Sequence, residues 1–233
     1  MQRAEKGIPV PVEKFDLDGN PYIGVFLNAN DKVLLIPERL SDNAAESIEK
    51  ALNVEVLYFY PGTRLLGSLL AMNNAGILFS EYIRDSVSDE FLREVEERGM
   101  RVGFLEDKLT ALGNNILLNN KKALLHPGYG RRSIKFIEDT LDVETAVGTI
   151  AGIKVTGSVG VVTDKGLLVH PKLTSREEEA LEEFFCLSPV KVTVNFGSPF
   201  VGAAVVANNR GALVGSKSTG IEMGKVEDGL NIL

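Results

Sequence analysis

Gly67-Ser68-Leu69-Leu70-Ala71-Met72-Asn73-Asn74-Ala75-Gly76-Ile77-Leu78-Phe79 reads as two apolar runs separated by Asn-x-x-Gly. Asparagine starts a turn well because its side chain bonds nearby backbone. Glycine accepts the positive φ that closes a three-residue hairpin loop. The stretch therefore predicts two short strands joined by a tight turn. The same frame recurs along the chain. From Gly24 through Gly67, Gly113 and Gly157 to Gly202 the steps are 43, 46, 44 and 45 residues. Six positions past each origin stand Asn30, Asn73, Asn119, Thr163 and Asn208; nine past stand Val33, Gly76, Lys122, Gly166 and Gly211. Val33 is expected to weaken the first turn, and Lys122 the third to a lesser degree, since a β-branched residue tolerates positive φ least.

Each hairpin is followed by a helical stretch: Ser41–Leu52, Ser88–Arg98, Arg131–Leu141, and two helices that open on capping boxes, Thr174 with Glu177 and Thr219 with Glu222. Apolar faces such as Phe91, Leu92 and Val95, or Leu181, Phe184 and Phe185, mark the buried sides. After each of the first four helices comes one more segment rich in β-formers: Val54–Phe59, Arg101–Leu105, Glu144–Ile150 and Pro189–Val194. Val12–Leu17 is expected to play that part for the first unit. A three-stranded sheet with one helix cannot bury both faces alone, so the units must pack on one another. The chain reads as one domain, 1–233, of five repeats at about 11–52, 53–99, 100–142, 143–187 and 188–233. A four-stranded propeller blade has a similar length, but it contains no helix, and this chain has no tryptophan for a Trp-Asp signature.

Bulk properties fit that reading. Of the 233 residues, 44% are hydrophobic and 24% charged, and the formal net charge is −7. An acidic surface binds phosphate backbones poorly without a local basic patch and favours basic protein partners. No apolar run approaches the roughly 18 residues of a membrane span, and Met1–Lys6 is too polar for a signal peptide, so a cytoplasmic location is expected. The single cysteine, Cys186, excludes an internal disulfide and a multi-cysteine zinc site.

Five helix-containing units are also the hallmark of the pentein fold, and the chain resembles one family within it. The likeness is carried by Gly62-Thr63-Arg64-Leu65-Leu66-Gly67 leading into Asn73-Asn74-Ala75-Gly76, and by Leu109-Thr110-Ala111-Leu112-Gly113-Asn114. It continues through Gly166-Leu167-Leu168-Val169-His170-Pro171, Asn195-Phe196-Gly197-Ser198 and Ser218-Thr219-Gly220-Ile221-Glu222. The ordered set is similar to the archaeal and eukaryotic translation initiation factor 6 family, from about Ile23 to Leu230. The segment before Asp18 is longer than that family leads one to expect. The resemblance implies an α+β, pentein-type closed ring, an α/β propeller of five pseudo-symmetric βββα repeats. It implies binding rather than catalysis, with no cofactor and no metal. A monomer would sit on the intersubunit face of the large ribosomal subunit, near the sarcin–ricin loop and its neighbouring proteins, and block the small subunit. The family also accompanies large-subunit biogenesis, and its release is linked to an elongation-factor-like GTPase. Carried over by motif, the ribosome-binding residues would be Arg64, Asn73, Asn114 and Asn120. Arg64 offers a forked donor, and the asparagines offer paired donor–acceptor contacts. Turn chemistry alone accounts equally well for Asn73. Asn114 is different, because the other repeats hold Val25, Ser68, Ser158 and Ala203 at its position.

Some penteins modify guanidines, so a hydrolase or transferase using Cys186 is the alternative. Cys186 follows Phe184-Phe185 and reads as an inert core residue. His126 and His170, each followed by proline, occupy matching places and read as strand ends rather than metal ligands. The carboxylates from Glu177 to Glu183 read as a solvated helix face, and Gly128-Tyr129-Gly130 before Arg131 and Arg132 as a turn. A scaffold for some other basic partner is the third possibility.

Overall fold

Five short three-stranded sheets carry the chain in the computed structural model, which describes residues 11–232; the opening Met1–Lys6 lies outside them. The first sheet orders Asn28–Ala29, Val33–Ile36 and Glu55–Tyr58. The second holds Leu70–Met72, Gly76–Ser80 and Arg101–Leu105, and the third Ile116–Leu118, Lys122–Leu125 and Glu144–Val147. The fourth holds Gly160–Val162, Leu167–Val169 and Pro189–Lys191. In each, the first two strands form the antiparallel hairpin, and the third lies parallel to the middle one. A parallel neighbour needs a crossover. The helices Asp42–Leu52, Asp89–Glu97, Arg131–Leu141 and Ser175–Phe185 provide it.

The fifth hairpin, Val205–Ala207 with Ala212–Gly215, is followed by the helix Gly220–Leu230 and then by no further strand among the described residues. Its third strand is Val12–Phe15, with Val12 opposite Ala212 and Phe15 opposite Gly215. This corrects the expectation that Val12–Leu17 completes the first unit. That place is taken by Glu55–Tyr58, because every hairpin recruits the strand that follows its own helix. The sheets thus straddle the repeat boundaries at 52, 99, 142 and 187, and the first and last parts of the described chain share one sheet.

The apolar run after each origin glycine is not all strand. Its first part is a single helical turn: Ile23–Val25, Leu66–Leu69, Leu112–Asn115, Thr156–Val159 and Val201–Ala204. A stretch of three or four residues is too short to show a period that separates helix from strand. These turns pack in a circle around the axis. A Cβ on Gly67 would meet the carbonyl oxygen of Gly24, one on Gly113 that of Gly67, one on Gly157 that of Gly113, one on Gly202 that of Gly157, and one on Gly24 that of Gly202. Every one of these approaches is under 3.0 Å, so the five glycines close a ring that no larger residue fits.

The hairpin turns close a second ring. The Asn73 Oδ1 accepts from the N–H of Ala75 and Gly76, doing the work its own carbonyl would do in a simple turn. That carbonyl is then free, and Asn30 Nδ2 donates to it at 2.7 Å. Asn73 in turn donates to the Asn119 carbonyl, Asn119 to that of Thr163, and Asn208 to that of Asn30. Thr163 lacks an amide, so the link to Asn208 is missing there. Two residues, not three, separate the bonded positions of each turn, Asn73 and Gly76 in the second, and Gly76, Gly166 and Gly211 do not have positive φ. These glycines are needed because a Cβ would strike the carbonyls of Thr140, Gly229 and Ala51 at the ends of packed helices. Val33 therefore does not weaken its turn, and Asn30 Oδ1 accepts from Val33 N–H at 2.8 Å. The Lys122 ammonium reaches the Phe184 carbonyl at such a helix end.

Both capping boxes form. Four helices end on a residue in the left-handed region, Asn53, Asp142, Cys186 and Asn231, each 29 past its origin glycine. Five apolar clusters fill the spaces between sheets and helices, and Phe59 stacks on Phe91 with ring centroids 4.4 Å apart.

Candidate functional site

The ring has two ends, set by the inner strands, whose two or three residues span about 7–10 Å. One end carries the helical turns and the loops before them. The other carries the hairpin turns and the C-termini of the long helices. A cavity of about 120 Å³ lies on the axis between the glycine ring and the asparagine ring.

At the helical-turn end, the position two before each origin glycine is apolar in every repeat: Tyr22, Leu65, Ala111, Val155 and Phe200. The large members fall on the adjacent fifth, first and second repeats, with Phe200 46%, Tyr22 39% and Leu65 48% exposed. Phe196, 82% exposed, extends the apolar surface. It sits in a loop where Asn195, Phe196 and Gly197 all have positive φ, against the two-residue turns Asp18-Gly19 and Ala151-Gly152. The Glu222 carboxylate holds this loop, accepting from the N–H of Phe196 and Gly197 at 3.1 and 2.8 Å and from the Thr193 hydroxyl. Burial alone would raise that carboxyl; the surrounding donors outweigh it and hold it below the ordinary value. Glu177 does the same at Ala151 and Gly152, so it is not part of a solvated face.

The four residues named from sequence divide between the ends. Arg64 and Asn114 lie at the helical-turn end. Arg64 Nη2 donates to Asp18 and Glu38, both at 2.7 Å, and the guanidinium carbon stands 5.8 Å from the Phe26 ring. The group is thus fixed in place while half-exposed. The Asn114 amide has no side-chain hydrogen bond among the described residues and is half-buried, so its donors and acceptor are available. Asn73 and Asn120 lie at the hairpin-turn end. Asn73 is buried and spends its amide on the Asn119 and Leu141 carbonyls and on its own turn. Asn120 belongs to a five-membered circle with Asp31, Asn74, Asp164 and Asn209. In that circle each backbone N–H donates to the next side chain. The Asp31 carboxylate also accepts from Asn74, Asn120 and Asn209. Burial opposes its charge, yet these donors hold the carboxyl below its ordinary range.

Cys186 is not in the core. It is exposed at the end of the fourth long helix, beside the Lys122 ammonium at 3.7 Å and the Glu183 carbonyl. Its place, 29 past the origin, is where other repeats hold Asn53, Asp142 and Asn231, and that correspondence could have been found from sequence. His126 and His170 each accept a backbone N–H two residues on, through Nδ1, from Gly128 and Lys172. They serve as strand-end turn formers, and the structure does not bring them to Cys186. No described helix is long and apolar enough to cross a membrane.

A ring closed by five glycines and five hairpin turns is the frame on which relatives can be compared. The model of the eIF-6 family matches residues 12–229. The chain belongs to the eIF-6 family. Among its relatives, translation initiation factor 6 of Methanosarcina mazei is 39% identical over 225 residues, covering 95% of this chain and 99% of that protein. Translation initiation factor 6 of Pyrococcus abyssi is 38% identical with the same coverage, and that of Picrophilus torridus is 36% identical over 94% of this chain and all of that protein. The eIF-6 match begins at Val12, the first residue of the closing strand.

Proposed function

We propose that this chain is a translation initiation factor that binds the intersubunit face of the large ribosomal subunit and obstructs the small one. It works in the cytoplasm as a non-catalytic monomer, takes part in large-subunit biogenesis, and is released with the help of an elongation-factor-like GTPase. Membership of the eIF-6 family carries this reading. Its contacts are ribosomal proteins and rRNA near the sarcin–ricin loop. The helical-turn end supplies the docking face, because an apolar patch beside half-exposed polar groups is the composition of a protein interface. Tyr22, Leu65 and Phe200 form the apolar part, and Arg64 and Asn114 fix orientation.

Gradient sedimentation tests it. The protein should co-migrate with large subunits and reduce their joining to small ones. Asn114→Ala should weaken that association about tenfold, in line with one lost interfacial hydrogen-bonding group of about 1.4 kcal/mol, with no change in Tm. Absence of co-migration for the unaltered protein would rule the proposal out.

A further inference from the structure

Eight positions past each origin glycine stand Lys32, Ala75, Lys121, Lys165 and Arg210. All five lie on the hairpin turns, so the fold sets four cations around one end of the axis. These four are exposed, on a chain whose net charge is −7. Ala75 shows that the turn does not require a cation. Two of the four finish helix ends: Lys32 Nζ donates to the Arg98 carbonyl at 2.9 Å and Arg210 Nη1 to the Asn53 carbonyl at 2.7 Å. Lys121 and Lys165 have neither a side-chain hydrogen bond nor an ion pair among the described residues. The acids that line the axial cavity, Asp31 and Asp164, are already bonded to amides of Asn120 and Asn209. They spread their charge into the ring rather than pairing with the lysines.

We propose that the hairpin-turn end binds the phosphate backbone of double-helical RNA, with Lys121 and Lys165 as the contacts. Ammonium groups are point charges suited to phosphate oxygens. They project here from turns whose backbone is held by bonds to the neighbouring repeats, so the points they reach from are fixed, which matches a stiff line of charge better than a flexible acidic chain. Among the residues of the turns none is aromatic, so unpaired bases would find no stacking platform. A second, RNA-facing end deepens the ribosomal function proposed above, and rests on it only in that the ribosome supplies the duplex.

The test is fluorescence anisotropy of the full chain with an RNA duplex of about 20 base pairs, from about 50 to 200 mM KCl, a range over which phosphate contacts weaken steeply. Binding should be micromolar and fall with salt. The double variant Lys121→Ala, Lys165→Ala should lose about tenfold in affinity and flatten the log–log salt slope by about 2, near 0.9 for each lost phosphate contact. Lys121→Arg with Lys165→Arg should retain both, and Tm should not move in either. Unchanged affinity and slope in the alanine variant would overturn the proposal. So would no duplex binding by the unaltered protein, or a preference for polyglutamate. Asn114→Ala, at the opposite end, should bind the duplex normally. Duplex binding without co-migration on large subunits would defeat the ribosomal reading and leave this one standing.

Discussion

Gly113 and Gly224 show how differently one residue type can be used. At Gly113 a Cβ would collide with the Gly67 carbonyl, and a ring of backbone contacts offers nothing flexible to give way. Gly113→Ala should destabilise by on the order of 3 kcal/mol or more, as overpacking against backbone does. Gly224 lies inside the last helix with open space around its Cα. Gly224→Ala should stabilise by about 0.5–1 kcal/mol through helix propensity. Urea denaturation of both variants checks the pair, and a mild effect at Gly113 would mean the glycine circle is looser than described. The turn asparagines were legible in sequence for their local bonds. Their Nδ2 bonds to the next repeat were not, because the carbonyl they meet is more than forty residues away.

At the scale of elements, the long helices are bound to the loops before them through carboxylates. Glu222 joins the fifth helix to the loop carrying Phe196, and Glu177 joins the fourth helix to Thr149–Gly152. Both carboxyls are held below their ordinary value of 4.5 although burial pushes the other way. A depressed folded-state value means the unfolded chain binds protons first. The stabilisation is therefore complete above 4.5 and is lost as pH falls through the lower folded values. Glu222→Gln should cost about 2 kcal/mol at pH 7, as charged hydrogen bonds do, and should flatten the acid limb of the stability curve. A pH series of urea midpoints reads both, and an acid limb as steep as the original would show that the carboxylate does not drive it. The capping boxes were plain in sequence; the reach of their glutamates to a preceding loop was not, since it depends on where that loop packs.

For the whole molecule, completion of the closing sheet depends on four residues. Val12–Phe15 complete the fifth sheet, with Val12 and Phe15 buried. A chain starting at Asp16 would uncover that core and leave Ala212–Gly215 unpaired on one side. Burial of the two side chains alone is worth about 3–6 kcal/mol, so the truncated protein should lose at least about 4 kcal/mol, with a lower Tm by calorimetry. An unchanged Tm would show that the ring does not need its closing strand. Closure also separates the two ends. Arg64 and Asn114 face one way and Asn73 and Asn120 the other, so one flat partner cannot touch all four at once.

Spacing in the chain, by itself, established the fivefold repetition, the hairpins, the helices with their caps and the family resemblance, because turn and cap chemistry acts over a few residues. Tertiary structure decided the rest: which hairpin Val12–Phe15 joins, why the glycines are glycines, and that Cys186 faces solvent. Each of these is settled by a contact between segments far apart in the chain, where local preference is the same for several outcomes and only packing chooses among them.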